Sequence, residues 1–151
     1  MPIQAFSELN CSIARPLSIL GERWALLVVR DVFLGRRRFD EMQDSLGVAS
    51  NVLSQRLATL TDEGILERRP YSEHPERFEY RLTQKGLDLQ PVLLALLAWG
   101  DRYMAGEGAP LEPVHTSCGH AFHAMPTCSE CGEAIVPAEV KSRRGPGWRE
   151  R

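Results

Sequence analysis

Hydrophobic residues recur at helical spacing in the middle of the chain, and they predict its central helix. Leu53, Leu57 and Leu60 stand at positions i, i+4 and i+7, so they form one apolar stripe that faces a core. Gly47 suits the left-handed end of a preceding helix, and Ser50 is a good N-cap for the next one. The pattern therefore predicts two helices that are joined by a short turn.

The opposite face of this helix carries hydrogen-bonding side chains of short to medium length, and few of them are charged. A solvated helix face usually carries pairs of Glu and Lys instead. Amide, hydroxyl and guanidinium groups match the donors and acceptors that base edges present in the major groove of DNA. The candidate base-reading residues are Ser50, Asn51, Ser54, Gln55 and Arg56.

Two segments after this helix have the composition of β-strands. Residues 65–69 and 77–82 are the predicted strands, and residues 70–76 are the predicted turn between them. Helix, turn, helix, strand, turn, strand is the plan of a winged helix, in which the hairpin is the wing. The alternative is a small helical domain with a solvated hairpin. Basic residues of the wing suit phosphates or the minor groove, and these are Arg68, Arg69, His74 and Arg77.

Further helices are predicted before this pair. Residues 11–21 form a short one, and residues 22–34 form one that is apolar on more than one face, which indicates burial on more than one side. Residues 39–46 form the positioning helix. An arginine triplet precedes it, and we expect phosphate contact there rather than a solvated turn, because like charges are rarely concentrated without a partner. The triplet is Arg36, Arg37 and Arg38.

A long apolar helix is predicted at residues 84–104, with Thr83 as its cap and Pro91 as a kink or break. It is too apolar for the surface of a monomer, so with residues 11–20 and part of 22–34 it is the candidate interface of a homodimer. Two-fold symmetry would then place the two reading helices about 34 Å apart, or a multiple of it. The aromatic residues of these helices are either core or the lining of a small-molecule cleft: Trp24, Trp99 and Tyr103.

The segment after this helix is rich in Gly and Pro, and it leads to two short motifs that could bind metal. Each motif ends in Cys-Gly and has a ligand-type residue three positions before the Cys. Two such knuckles hold a tetrahedral zinc ion in ribbon folds, and four ligands would make the site structural rather than catalytic. The predicted ligands are His115, Cys118, Cys128 and Cys131, with His120 and His123 as rivals for the histidine position. The alternative is that Cys128 and Cys131 are a stray or redox pair.

These patterns predict three parts in the chain. Residues 1–106 are a winged helix-turn-helix domain for DNA binding and dimerisation, mainly α with a small β-wing. Residues 107–140 are a zinc-ribbon-like tail, and residues 141–151 are a basic end that we expect to be disordered.

Composition and charge narrow the function. The net charge is −2, so any contact with nucleic acid must be local. No signal peptide is apparent, and no apolar run is long enough to span a bilayer, so we expect a cytoplasmic protein without membrane contact. In the cytosol the four cysteines are thiols or metal ligands rather than a disulfide framework. No catalytic motif is present, so an enzyme is not expected.

Several motifs in one order resemble those of the HxlR-type transcriptional regulators, which are winged-helix proteins related to the MarR group. The resemblance covers Cys11 to about Trp99 and implies a homodimer that binds operator DNA. Glu22 departs from a glycine that is common in the family, and we expect this departure not to affect the reading helix. The resemblance rests on motifs that follow one another in the family's order. They are Cys11 with Leu-Ser-Ile-Leu-Gly-Glu-Arg-Trp at 17–24, Gly-Arg-Arg-Arg-Phe-Asp-Glu-Met at 35–42, Leu-Ser-Gln-Arg-Leu-Ala-Thr-Leu-Thr-Asp-Glu-Gly at 53–64, Pro-Glu-Arg-Phe-Glu-Tyr-Arg-Leu-Thr-Gln-Lys-Gly at 75–86 and Trp-Gly at 99–100.

Cys11 is a redox candidate, because the resemblance places it where some relatives carry a thiol that reacts with oxidants or quinones. A helix start and Arg15, one turn on, favour the reactive thiolate. The alternative is a small buried hydrophobic residue.

The sequence thus predicts a sequence-specific, dimeric DNA-binding regulator, expected to repress and to respond to a redox, electrophile or small-molecule signal. The alternative is a protein-interaction module of winged helix and zinc ribbon that does not read DNA. An interaction helix would present aromatic or leucine anchors, whereas the helix predicted here presents polar groups.

Overall fold

The computed structural model describes residues 7–149. They form two compact units, one that extends to Leu89 and includes the segment from Gly147, and one that comprises residues 90–146. This division differs from the predicted domain boundary at residue 106, which stays a prediction. Within residues 7–149, no helix has the length and apolar character that crossing a membrane requires.

The first unit is a winged helix-turn-helix, which confirms the predicted fold class. Helix α2 lies at its centre and packs against α3, α4 and the second strand of the wing. The helices and strands of this unit are α1 (Ala14–Leu20), α2 (Ala25–Phe33), α3 (Phe39–Leu46), α4 (Ser50–Asp62), β1 (Leu66–Glu73), β2 (Glu76–Leu82) and the short α5 (Gln84–Leu87).

The core of this unit contains the predicted leucine stripe of α4. Leu53, Leu57 and Leu60 are at most 1% exposed, and they meet Met42 of α3 and the apolar face of α2. Truncation of such a leucine to alanine typically costs about 2–5 kcal/mol, because contacts are lost and a cavity remains. The other core residues are Ala14, Ala25, Val28, Val29, Val32, Val48, Ile65 and Leu66.

The turn between α3 and α4 agrees with the prediction at one end and differs at the other. Gly47 ends α3 with a φ of 62°, the left-handed conformation that a side chain would strain. Ser50, however, is not the N-cap. Ala49 holds that position without a side-chain hydrogen bond, and Ser50 is the first helical residue. The prediction was wrong because the Ser50 hydroxyl has another partner, Gln43.

The wing is longer than predicted. Strand β1 runs to Glu73, so the predicted turn at residues 70–76 shrinks to the two residues His74 and Pro75. The strands pair antiparallel, with an irregularity in the register between Pro70 and Ser72. A two-stranded ribbon tolerates proline at such a place, since not every backbone N–H is needed for pairing. That is why Pro70 does not end β1.

The predicted helix at residues 84–104 is two helices. Thr83 caps α5 as expected, since its hydroxyl accepts a hydrogen bond from the Gly86 N–H at 3.2 Å. Helix α6 (Gln90–Met104) begins after a break, and Pro91 lies in its first turn, where a missing N–H costs nothing. The break expected near Pro91 is therefore confirmed.

The second unit comprises α6 and two small hairpins. The first hairpin pairs β3 (Val114–His115) with β4 (His120–Ala121), and the second is closed by a bridge between Thr127 and Ala134. A single 3-10 turn follows at Pro137–Glu139. No side chain of residues 106–149 is buried, so the hairpins have no hydrophobic core of their own. The basic end has no regular secondary structure from residue 141 to residue 149.

Candidate DNA-binding surface

Helix α4 presents a polar face on the side opposite its leucine stripe. Asn51, Ser54 and Gln55 are exposed, because the helical period that buries every third or fourth residue turns these positions outward. No hydrogen bond within the described residues engages these three side chains in the structure. The amide and hydroxyl groups are therefore available to base edges.

Ser50 lies at the start of the same face but has a structural partner. The Gln43 side-chain amide donates to the Ser50 hydroxyl at 2.7 Å and lies 3.4 Å from the Val48 carbonyl oxygen. This contact joins α3 to α4 across the turn. Gln43 was not predicted as part of the site, although its place in the last turn of α3, four residues before Gly47, was the available signal.

Arg56 differs from its neighbours on α4. Its side chain is only 13% exposed, and Nη1 lies 3.4 Å from Oε2 of Glu22. The guanidinium group is thus turned toward the segment between α1 and α2. The structure does not bring Arg56 together with the exposed amides.

The arginine triplet before α3 is divided among different partners. Arg36 forms an ion pair with Asp31 at 3.5 Å, and Arg30 forms a second at 2.7 Å. Asp31 is fully buried, and its Oδ2 atom has no hydrogen-bond partner among the described residues. A buried carboxylate needs such partners, so the position of Arg36 is explained by the fold.

Arg37 and Arg38 are exposed and lie where the triplet meets the wing. The Arg37 carbonyl accepts a hydrogen bond from the Tyr80 N–H of β2 at 2.7 Å. The Arg38 guanidinium carbon lies 4.2 Å from the ring centroid of Tyr71 on β1. These contacts place two basic side chains beside the wing.

Glu41 fixes the start of α3 behind these arginines. Its carboxylate accepts hydrogen bonds from the backbone N–H groups of Arg37 and Arg38, at 2.9 and 3.0 Å. The hydrogen bond from Arg38, followed by that from Arg37, holds the pKa of the Glu41 carboxyl below its ordinary value. The carboxylate thus stabilises the loop that carries the triplet.

The wing carries the other predicted basic residues. The Arg68 guanidinium carbon lies 4.0 Å from the ring centroid of Phe78, and Arg69 pairs with Glu67 at 2.5 Å. His74 and Arg77 are exposed at the hairpin turn. The aromatic residues that hold the arginines, Tyr71 and Phe78, were not predicted as part of the surface.

One groove connects the reading helix to the wing. It has a volume of about 480 Å³, and residues from both elements line it, among them Ser54, Asp62, Arg68 and Tyr80. The groove therefore brings one candidate base-reading residue, Ser54, and one candidate phosphate-binding residue, Arg68, to the same surface of the first unit.

The exposed Cys11 lies near the start of α1, so the alternative of a buried hydrophobic residue is wrong. The Ala14 N–H lies 3.5 Å from its sulfur. Hydrogen bonds from Ala14 and then Ile13 lower the pKa of the Cys11 thiol, and the positive charge of Arg15 adds to this.

The candidate zinc ligands lie in the two hairpins of the second unit. The Cys118 sulfur is 3.6 Å from Nδ1 of His115. Cys128 and Cys131 stand in the second hairpin, where the N–H groups of Cys131 and then Glu130 lower the pKa of the Cys128 thiol. In residues 7–149, no three His, Cys, Asp or Glu side chains converge on one point.

A helix-turn-helix with an exposed polar reading face and a basic wing defines a DNA-binding transcriptional regulator. Residues 19–107 match the family described as HxlR-like helix-turn-helix, and the chain belongs to this family. The resemblance predicted from the motifs is therefore confirmed. Since this family consists of transcriptional regulators, the expectation that the chain is not an enzyme is confirmed as well.

Relatives and solved structures agree with this assignment. An uncharacterised HTH-type transcriptional regulator of Mycobacterium tuberculosis is 43% identical over 139 residues, covering 91% of this chain and 88% of the relative. The crystal structure of PA1607, described as a candidate transcription factor, has a TM-score of 0.82 at 34% identity, covering 93% of this chain and 99% of that one. The reduced transcriptional regulator YodB of Bacillus subtilis has a TM-score of 0.54 at 32% identity, covering 64% and 96%.

Proposed function

We propose that the protein is a homodimeric repressor that places α4 of each subunit in the major groove of operator DNA and the wing on the flanking backbone. The observation that carries this proposal is the exposed, uncharged polar face of α4 beside a basic hairpin. Base edges are recognised by such side chains, and phosphates by arginines, so the two halves of the surface suit the two parts of DNA.

We assign roles to the candidate residues from their exposure and their contacts. Three exposed side chains of α4 read bases, and basic side chains around them hold phosphates. Ser50, Arg36 and Arg56 have partners within the fold and position the surface. The base-reading residues are Asn51, Ser54 and Gln55, and the phosphate-binding residues are Arg37, Arg38, Arg68, Arg69, His74 and Arg77.

The second subunit of the proposed dimer would cover an apolar stripe on α6. Val92, Leu96, Trp99 and Tyr103 follow one another at helical spacing, and each is 49–63% exposed. Such a stripe is typical of a helix that packs against another helix. Ile13, just before α1 in the first unit, is a separate exposed apolar side chain that the second subunit would also cover. We therefore assign the dimer contact to α6 together with the region of α1.

Signals would act on this dimer through Cys11 or through a small molecule between the subunits. The observation that favours Cys11 is its exposure together with the lowered thiol pKa. YodB has been solved in its reduced form and after treatment with diamide, which is an oxidant of thiols. A small-molecule ligand would lie against the aromatic pair of α6, Trp99 and Tyr103, whose ring centroids are 5.3 Å apart.

The test of the DNA-reading assignment is selection of bound DNA from a random pool by the full chain, followed by binding measurements on the selected site. We expect a site with two-fold symmetry and half-sites about one helical turn apart. Replacement of both Asn51 and Gln55 by alanine should remove the preference for that site and leave non-specific binding. Replacement of Gln84 and Gln90, exposed amides outside α4, is the matched control. Full operator preference in the Asn51/Gln55 variant would contradict the assignment.

Failure to select any sequence would favour the alternative of a protein-interaction module. In that case the first unit would bind a partner protein through the same groove. The polar, uncharged groups of α4 argue against this, since interaction helices are anchored by large apolar or aromatic side chains.

A further inference from the structure

The two hairpins of the second unit repeat each other at an offset of thirteen residues. The Phe122 N–H donates to the Pro113 carbonyl at 3.0 Å, and the Ile135 N–H donates to the Pro126 carbonyl at 2.9 Å. Inside these outer hydrogen bonds, Val114 pairs with Ala121, and the bridge between residues 127 and 134 occupies the same place. The same backbone path is thus built twice.

The tips of the hairpins match in the same register. The Gly119 N–H donates to the His115 carbonyl at 2.7 Å, and the Gly132 N–H donates to the Cys128 carbonyl at 2.8 Å. Both glycines are left-handed, with φ values of 73° and 76°. This tight turn follows the second ligand of a metal-binding knuckle, where a side chain at the glycine would be strained.

Each tip also brings its two ligand-type side chains together. In the first hairpin the Cys118 sulfur lies 3.6 Å from a ring nitrogen of His115. In the second, the side chain of Cys131 interacts with that of Cys128, so the two thiols are neighbours. Each hairpin thus supplies two of the four side chains that a tetrahedral zinc ion needs.

The hairpins lack another means of stabilisation. They have no buried side chain, and their cysteines are free thiols rather than a disulfide. A segment of this size without a core usually needs a metal or a disulfide to stay folded. Bound metal would therefore account for the order of a segment that has no hydrophobic core.

We propose that the two hairpins bind one structural zinc ion through Cys118, Cys128, Cys131 and His115. The thirteen-residue register decides between the histidines. His115 corresponds to Cys128, whereas His120 corresponds to Glu133 and His123 to Val136, neither of which is part of a knuckle. Three cysteines and one histidine form a closed tetrahedral set that leaves no position for water or substrate.

Binding of the ion also implies a movement and a release of protons. Since no three ligand-type side chains of residues 7–149 converge in this structure, the tips of the two hairpins must approach each other when zinc binds. The three thiols give up about three protons per ion, because zinc binds the thiolate form. Both events can be measured without reference to DNA binding.

The test is metal analysis of the full chain, purified without added metal and without chelator. We expect about one zinc ion per chain, and a cobalt-substituted protein with the absorption of tetrahedral Co²⁺ bound to thiolates. Cys131→Ser and His115→Ala should reduce the zinc content at least about tenfold at a fixed concentration of competing chelator, and His115→Cys should restore it. His120→Ala and His123→Ala are matched controls that should retain zinc.

Less than half an equivalent of zinc in fresh protein, with no uptake of Zn²⁺ by the reduced chain, would overturn the proposal. Loss of zinc in His120→Ala but not in His115→Ala would overturn the assignment of the ligand. To separate loss of the site from misfolding, the helical circular dichroism of each variant is compared with that of wild type. Cys131→Ser should keep the helical signal, because the ligands lie outside all helices.

Discussion

Arg56 of the reading helix is held by Glu22, with Nη1 and Oε2 3.4 Å apart. Glu22 lies between α1 and α2, so this ion pair ties α4 to the N-terminal helices. Glu22 replaces a glycine that is common in the family, and from the sequence we expected that this replacement does not affect α4. That expectation was wrong, because the carboxylate fixes the direction of the one arginine on α4.

From this pair we predict that Arg56→Ala affects stability more than specificity. Loss of this ion pair, which is partly open to solvent at Glu22, should lower the free energy of unfolding by about 1 kcal/mol. The preference for operator over random DNA should remain. Gln55→Ala is the matched control, since its exposed amide should leave stability within about 0.5 kcal/mol and weaken operator binding by about 1–3 kcal/mol. Thermal unfolding and binding to both DNAs are the measurements. An equal loss of operator preference in both variants would show that Arg56 also reads bases.

On the wing, Arg69→Ala should weaken binding to all sequences alike. If Arg69 contacts one phosphate, the slope of log K against log salt concentration should fall by about one. Glu67 is paired with Arg69 in the free protein, so Glu67→Gln should have the opposite effect and strengthen binding to every sequence. Titrations at several salt concentrations give both slopes. A change confined to the operator would contradict the assignment of Arg69 to phosphate.

Glu41 should make stability depend on pH in the acid range. Its pKa is lowered in the folded state below the ordinary value of 4.5 by the N–H groups of Arg38 and Arg37. A lowered pKa adds stability above the ordinary value, and this stability is lost as the pH falls through the folded-state pKa. Glu41→Gln should therefore lower the melting temperature at pH 7, and the difference from wild type should shrink in acid.

The matched control for Glu41 is Asp40→Asn, which removes an acidic charge from the same helical turn. Asp40 accepts no hydrogen bond from the backbone of residues 37 and 38, whose N–H groups both go to Glu41. Equal pH profiles for the two variants would show that helix charge, rather than the hydrogen bonds, accounts for the effect.

Oxidation of Cys11 should weaken operator binding. The N–H groups of Ala14 and Ile13 lower the pKa of the exposed thiol and so favour the thiolate, which is the reactive form. Treatment with diamide or a quinone should lower operator affinity in wild type and have no effect in Cys11→Ser. Cys118→Ser, which removes an exposed cysteine of the tail, is the matched control and should stay sensitive. If diamide or a quinone still lowers the operator affinity of Cys11→Ser, Cys11 is not the residue that responds to oxidants.

The apolar stripe of α6 should decide the oligomeric state. Leu96→Glu places a charge in the middle of the stripe and should produce a monomer, because burial of an unpaired charge opposes association. Gln90→Glu adds the same charge at an exposed position outside the stripe and should leave the dimer intact. Sedimentation velocity distinguishes the two states. A dimer in Leu96→Glu would move the interface away from α6.

The sequence was sufficient for most of the fold because the signals for it are local. The leucine stripe of α4 is a period along one helix, and the left-handed Gly47 is a property of one residue. The cap of α4 could not be predicted in the same way. Ser50 has the side chain of an N-cap, but its hydroxyl is engaged by Gln43 seven residues away, and that contact exists only after α3 and α4 have packed.

The candidate site likewise contains residues that a local pattern predicts and residues whose roles depend on tertiary contacts. The polar face of α4 follows from the helical period, so its exposed amides were predictable. The roles of the three arginines in the triplet were not predictable, because these similar residues have different tertiary partners. Arg36 pairs with the buried Asp31, whereas Arg38 lies over Tyr71 of the wing. No local pattern distinguishes an arginine that stabilises a buried carboxylate from one that is available to DNA.

Thr83 has a consequence for how an operator would be read. Its side-chain hydroxyl bonds to the carbonyl oxygens of Gly64 and Ile65, and its N–H also bonds to Ile65, so the end of the wing is fastened to the end of α4. These bonds restrain the movement of the wing relative to α4. An extra base pair within a half-site changes the spacing between bases and phosphates, and the protein cannot match the new spacing by bending between α4 and the wing. A substituted base pair keeps the spacing and removes only the contact to that base. Insertion of a base pair inside a half-site should therefore lower operator affinity far more than a single mismatch does.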